Sequence, residues 1–207
     1  MKKKYLEKIL HTNADLYNVH LTTAESNAAE KKWGTGDGEP FSVEPYRMEI
    51  LGISPGKFLD KPPKKITKNK YCYHIDGLGK IIARTEYSEP YGNQWIVYRE
   101  FYEQTIDGIV RYSYGSAVDG QKDTPNLQKV ALIEFKKNSQ VNAVYEIFKK
   151  RLEYTETRYE YIDNAISKIS TLWPDTGMTR SILVSNKDGQ TFLHEVTPDG
   201  IDQIYPE

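Results

Sequence analysis

Apolar and polar positions change rhythm near Lys70. Upstream, Tyr5, Leu6, Ile9 and Leu10 recur at spacings of three and four, which predicts a short helix over 3–11. Leu16, Val19 and Leu21 continue that stripe or open a strand. Residues 23–33, rich in alanine and glutamate, predict a second helix with Thr22 or Thr23 as N-cap and Gly34 as its stop. Residues 34–40 read as a glycine-rich loop. Residues 41–53 read as extended, with Tyr46, Met48 and Ile50 on one face and Pro45 confining the segment to an edge. Three prolines and six lysines in 54–70 predict a surface linker, the best boundary in the chain.

Downstream, short aromatic and β-branched runs alternate with turn signals. Residues 71–75 and 80–87 flank Asp76-Gly77-Leu78-Gly79; 95–105 and 109–114 flank Ile106-Asp107-Gly108. Residues 129–137 and 141–149 flank Asn138-Ser139-Gln140; 158–162 and 165–173 flank Asp163-Asn164; 181–186 and 190–197 flank Lys187-Asp188-Gly189. Pro198-Asp199-Gly200 leads into a final run at 201–205. Asp-Gly and Asp-Asn reach positive φ at little cost, which tight turns between right-twisted strands require. Val141, Val144, Tyr145, Phe148 and Leu152 also fit a helical stripe, but the neighbouring strand–turn–strand units favour a strand there. The expected fold is mainly β, or α+β: an antiparallel meander of about ten strands, forming a curved sheet or partial barrel. Short helices are confined to the N-terminal third. Residues 1–70 would pack on the sheet formed by 71–207, in one structural unit.

Composition narrows the function classes. Of 207 residues, 38% are hydrophobic and 28% charged, enough for a real core and a solvated surface. The net charge of −1 argues against nucleic acid as a partner. The balance is uneven. Residues 1–70 hold thirteen Lys+Arg against nine Asp+Glu, 71–152 eleven against ten, and 153–207 four against ten. An acidic C-terminal third suits a basic partner surface. With Cys72 alone, no intramolecular disulfide can form, and a reducing compartment is the natural home. The start Met1-Lys2-Lys3-Lys4 resembles the charged head of a signal peptide, but Glu7, Lys8, His11, Asn13 and Asp15 interrupt the apolar stretch such a peptide needs next. With no run long enough to span a bilayer, the expectation is a cytoplasmic protein without a membrane partner.

Two resemblances bear on the hairpins. The runs Tyr71-Cys-Tyr-His-Ile-Asp-Gly-Leu-Gly-Lys-Ile-Ile and Arg158-Tyr-Glu-Tyr-Ile-Asp-Asn-Ala-Ile-Ser-Lys-Ile resemble the tyrosine–aspartate repeat units of bacterial RHS-type proteins, in which an aromatic pair precedes Asp and a turn. In general character, the chain is similar to the immunity proteins of polymorphic toxin systems: small, β-rich and without an enzyme motif. That resemblance implies a protein partner and no cofactor.

Candidate chemistry is sparse. Gly52-Ile-Ser-Pro-Gly56-Lys57-Phe58 has three residues between its glycines and Phe where a phosphate loop needs Ser or Thr, so it reads as a turn. In Gly34–Glu39 only two carboxylates accompany the glycines, short of a calcium loop. Cys72 and His74 would share one face of a strand, opposite Tyr71 and Tyr73. A thiolate–imidazole pair would suit nucleophilic catalysis; a buried thiol beside a histidine is the commoner outcome. Carboxylates including Glu100, Glu103, Glu134 and Glu146 are acid–base candidates by type alone.

The tyrosines carry more. Twelve of sixteen lie between 71 and 161. Tyr and Trp supply rigid contact area at interfaces, and they also pair across strands. The leading expectation is a protein-binding module, in its most specific form an immunity-type inhibitor of a bacterial toxin. Tyr98, Tyr102, Tyr112 and Tyr114 would make contact, and Glu153, Glu156 and Glu160 would steer association. The alternative is a small-ligand-binding protein or enzyme with a site in the concave face of the sheet.

Overall fold

The computed structural model describes residues 1–121 and 124–206. Two helices, α1 (Lys2–Thr12) and α2 (Tyr17–Asn27), precede every strand. Then come β1 (Glu30–Thr35), a 3₁₀ turn (Glu49–Leu51), β2 (Lys57–Phe58), β3 (Lys70–Ile75), β4 (Ile81–Tyr91), β5 (Gln94–Thr105), β6 (Gly108–Tyr114) and β7 (Ala117–Val118). The series ends with β8 (Leu127–Phe135), β9 (Val141–Phe148), β10 (Glu153–Ile162), β11 (Ala165–Trp173), β12 (Met178–Lys187), β13 (Gln190–Thr197) and β14 (Gly200–Tyr205).

The strands make one antiparallel sheet of fourteen, in the order β14-β13-β12-β11-β10-β9-β8-β6-β5-β4-β3-β1-β2, with β7 beside β5. The sheet is a meander not closed into a barrel. Each anticipated hairpin forms, and 141–148 is strand. Asp163 (φ 51°) with Asn164 (φ 65°), and Asp188 (φ 52°) with Gly189 (φ 78°), place both turn residues at positive φ, as a two-residue turn between twisted strands demands.

Three features depart from the sequence reading. First, the second helix starts earlier and ends at Asn27, and Glu30–Thr35 is a strand rather than helix. Pairing with β3 overrides local helix preference there, and the Trp33 ring stacks on Tyr87 with centroids 5.7 Å apart. Second, residues 41–53 are bent rather than extended: Tyr46 has φ 58°, and Gly52 caps the 3₁₀ turn at φ 73°. Third, 54–70 is no boundary. It supplies β2, so residues 1–70 give two strands to the same sheet as 71–205.

Side-chain alternation gives the sheet a helix face and a loop face. The helix face carries Val97, Phe101, Tyr112, Leu132 and Ile147, buried under Leu6 and Leu10 of α1 and Tyr17 and Ala24 of α2. α1 packs on β8 and β9, and α2 on β3, β4 and β5. The loop face carries Ala131, Ile133, Val144, Tyr159, Ile169, Ile182 and Leu193. Against it lie Val43, Tyr46 and Ile50, from the long connection between β1 and β2. The 3₁₀ turn in that connection touches β14, and the Arg180 side chain donates to the Ile50 carbonyl at 3.4 Å. The sheet therefore curls around residues 36–56. Close backbone approach makes this possible: a Cβ at Gly56 would sit 2.5 Å from the Thr35 carbonyl oxygen and 2.6 Å from that of Gly38.

Candidate functional site

The centre of the loop face holds charge. Arg84 of β4, Glu100 of β5, Arg111 of β6, Lys129 of β8 and Glu146 of β9 all project there, and the connection above them contributes Glu39, Glu44 and Arg47. Arg47 forms a fork onto Glu100, with Nη2 2.7 Å from Oε1 and Nη1 2.9 Å from Oε2. Arg84 pairs with Glu39 and lies 3.2 Å from Glu100. Arg111 pairs with both Glu44 and Glu146, and Lys129 Nζ reaches Glu146 at 2.9 Å. Four cations thus balance four carboxylates out of water, which is the condition under which buried charge is tolerated.

This pairing fixes protonation. Burial alone would raise Glu100; the guanidiniums of Arg47, Arg84 and Arg111 outweigh it and hold the carboxyl well below the usual carboxylate range. Burial likewise opposes ionisation of Glu146, but Lys129 and Arg111 pull it down. Burial pushes Glu44 up, against the attraction of Arg111. Glu100 also accepts hydrogen bonds from Tyr102 Oη at 2.9 Å and Ser113 Oγ at 2.9 Å. Each of these four carboxylates is engaged by the protein's own cations. The cluster fastens the loop to the sheet and offers no uncommitted acid–base pair at its centre.

Open space begins beside this cluster. A groove of about 1110 Å³ crosses the loop face near the turns at 76–79, 106–107, 136–140 and 163–164. It is lined from β1 to β11, nine adjacent strands in the sheet. At about 4.8 Å per strand the span is roughly 38 Å along the sheet. Ile75, Ile81, Ile109, Val141 and Ile166 contribute to the floor, and Phe41, Val43 and Tyr46 form the wall on the loop side. Tyr46 and Tyr161 are its tyrosines, and Glu30 and Asp60 its carboxylates.

The anticipated contact tyrosines divide. Tyr98 is 41% exposed on the loop-face side of β5. Tyr102, Tyr112 and Tyr114 are buried, which corrects their assignment to a contact surface. Tyr102 points under the loop to Glu100; Tyr112 and Tyr114 point under the helices, where their hydroxyls donate to Glu103 Oε2 at 2.6 Å and the Asn13 carbonyl at 3.1 Å. Alternation separates the two faces, but both faces of β5 and β6 are covered around Tyr102, Tyr112 and Tyr114, so of the four tyrosines Tyr98 alone is left wet. Glu153 accepts from Trp173 Nε1 at 2.9 Å, and Glu156 accepts from Tyr154 Oη at 3.0 Å. Glu160 stays exposed, 3.4 Å from Lys168. The three carboxylates are not one patch: Glu156 and Glu160 lie on the helix-face side of β10 and Glu153 on the other.

Cys72 and His74 share the helix face, as alternation requires, and both are buried. Burial pushes the thiol up to about 11 and pulls the imidazole down to about 4, so at neutral pH both are uncharged. An activated thiolate is therefore not formed. Among the described residues, no cluster of His, Cys, Asp and Glu could hold a metal ion, and no helix is long and apolar enough to cross a membrane.

Sequence reasoning missed Glu39, Glu44, Arg47, Arg84 and Arg111. The available signal was a charge set inside an alternating apolar run, as Arg111 is between Val110 and Tyr112. Comparison with known proteins finds no matching family model, curated protein or solved structure.

Proposed function

We propose that the chain is a protein-binding module whose groove receives an extended, apolar segment of a partner polypeptide. The observation that carries this reading is intramolecular. Residues 41–50 already lie along the concave face with Val43, Tyr46 and Ile50 seated on its aliphatic floor. The groove continues the same floor beside them, unfilled. A polypeptide with apolar side chains at intervals thus suits this surface, and a span of roughly 38 Å accommodates about eleven extended residues. The fully paired carboxylates at the centre favour binding over catalysis. An immunity-type inhibitor, occluding a toxin domain by capturing one of its segments, is the specific form of this proposal.

The test is selection of displayed random twelve-residue peptides against the protein, then a paired Phe41→Glu, Phe58→Glu variant. Both side chains are partly exposed at the groove, so the fold should tolerate the change. Selected peptides should carry aromatic and aliphatic residues, and should lose at least tenfold in affinity for the variant. Equal binding to the variant would remove the groove as the site. For the inhibitor form, neutralisation of a toxin encoded beside this chain should fail with the same variant.

A further inference from the structure

The helix face holds a second opening, which shares only Gln104 with the groove among the described residues. Beneath α2 lies a cavity of about 400 Å³, within the usual range for small-molecule sites. Its aromatic side is formed by His20, Phe101 and Tyr112. The His20 ring lies 4.5 Å from Tyr112, tilted by 51°, and 5.5 Å from Phe101, edge-on at 61°. Among the described residues, Glu103 is the only formally charged side chain in the lining; no lysine or arginine joins it. Lys80 Nζ approaches from outside the lining, 3.4 Å from Gln104 Oε1.

Tyr112 donates to Glu103 Oε2 at 2.6 Å, and the Glu103 carboxylate stands exposed at the mouth of the cavity. Tyr114 Oη lies 3.1 Å from the Asn13 carbonyl and 3.2 Å from His20 Nδ1, which holds the imidazole in place. Burial lowers the pKa of His20, so the ring adds no positive charge at physiological pH. One carboxylate therefore stands beside aromatic rings whose faces are electron-rich.

We propose that this cavity binds a small protonated amine with an aromatic or apolar body. The ammonium would pair with the Glu103 carboxylate, and the body would pack against His20, Phe101 and Tyr112. Three probes of nearly one shape separate charge from shape: phenethylammonium, phenethyl alcohol and phenylacetate. Titration monitored by proton NMR should show the ammonium shifting the His20 and Tyr112 ring signals at millimolar concentration, the alcohol binding about tenfold more weakly, and phenylacetate producing no shift. Glu103→Gln should weaken the ammonium about tenfold, while Tyr112→Phe, which keeps the carboxylate, should stay within about threefold. Should Glu103→Gln not fold, the probe order on the unaltered protein decides. Equal binding of phenylacetate, shifts confined to groove residues such as Ile81 and Ile109, or no shift at about 10 mM ammonium would each overturn the proposal.

Discussion

Two parts of one sheet solve the same burial problem differently. Strands β3 to β9 are covered on both faces, by the helices on one and by residues 36–56 on the other. Strands β11 to β14 are covered on one. Their loop face buries Ile169, Ile182 and Leu193, while the opposite face leaves Val196 at 43% and Ile201 at 61% exposed. The difference shows in the charges. In the doubly covered part, arginine and glutamate are locked together out of water; in the outer part, the paired side chains of Arg180 and Glu195 are 29% and 28% exposed. A meander can extend itself hairpin by hairpin, but only where a second layer lands does polar chemistry become structural.

Breaking the buried cluster should have the largest effect. Arg111→Met strands Glu44 and leaves Glu146 to Lys129 alone, and should cost about 3–5 kcal/mol of unfolding free energy, read from urea denaturation. The same change at Arg180, 2.8 Å from Glu195, should cost less than about 1 kcal/mol. Comparable losses at the two sites would refute the contrast.

Next is acidity. The folded His74 imidazole titrates near 4 and its unfolded counterpart near 6.5. Between those values the unfolded chain binds a proton that the folded chain does not. Stability is complete above the window and falls as pH drops through it, by up to about 3 kcal/mol. Glu100 acts lower still: with its folded pKa depressed, its contribution is present above the unfolded carboxylate value and lost as pH falls well beneath it. Unfolding curves measured across the His74 window should show the loss, and His74→Leu should flatten it.

Gly56→Ala should rank third, at about 1–3 kcal/mol, because the new methyl meets the Thr35 and Gly38 carbonyls. Circular dichroism melts should place this loss in the doubly covered part, with tryptophan emission reporting Trp33 beside it. Smallest is Ile201→Thr on the uncovered face, within about 0.5 kcal/mol. Amide exchange should rank β14 and β13 as the first elements to open, and β5, β6 and β8 as the last.

The hairpins were legible because their turns carry a chemistry of their own: Asp-Asn and Asp-Gly state a backbone conformation without reference to anything distant. β1 was not, because Glu30–Thr35 favours helix locally and becomes a strand only when β3 is beside it. The cluster was half visible. Glu100 and Glu146 stood out as carboxylates, but their partners Glu39, Glu44 and Arg47 sit in a segment whose glycines, prolines and charges read as solvated. Nothing local distinguishes a loop on the surface from one folded into a concavity. The tyrosines failed for a related reason: alternation assigns sides, and cover depends on where distant segments come to rest.

Strand order copies chain order almost everywhere, the main exception being the excursion between β1 and β2. A nascent chain leaving the ribosome can therefore lay down each ribbon on the one made just before it. Glu44 and Arg47, though synthesised early, must wait for Arg111 and Glu100 to emerge before those partners answer their charges. Until then the segment bearing them has no reason to leave water. The innermost piece of the molecule thus settles only once β5 and β6 are made.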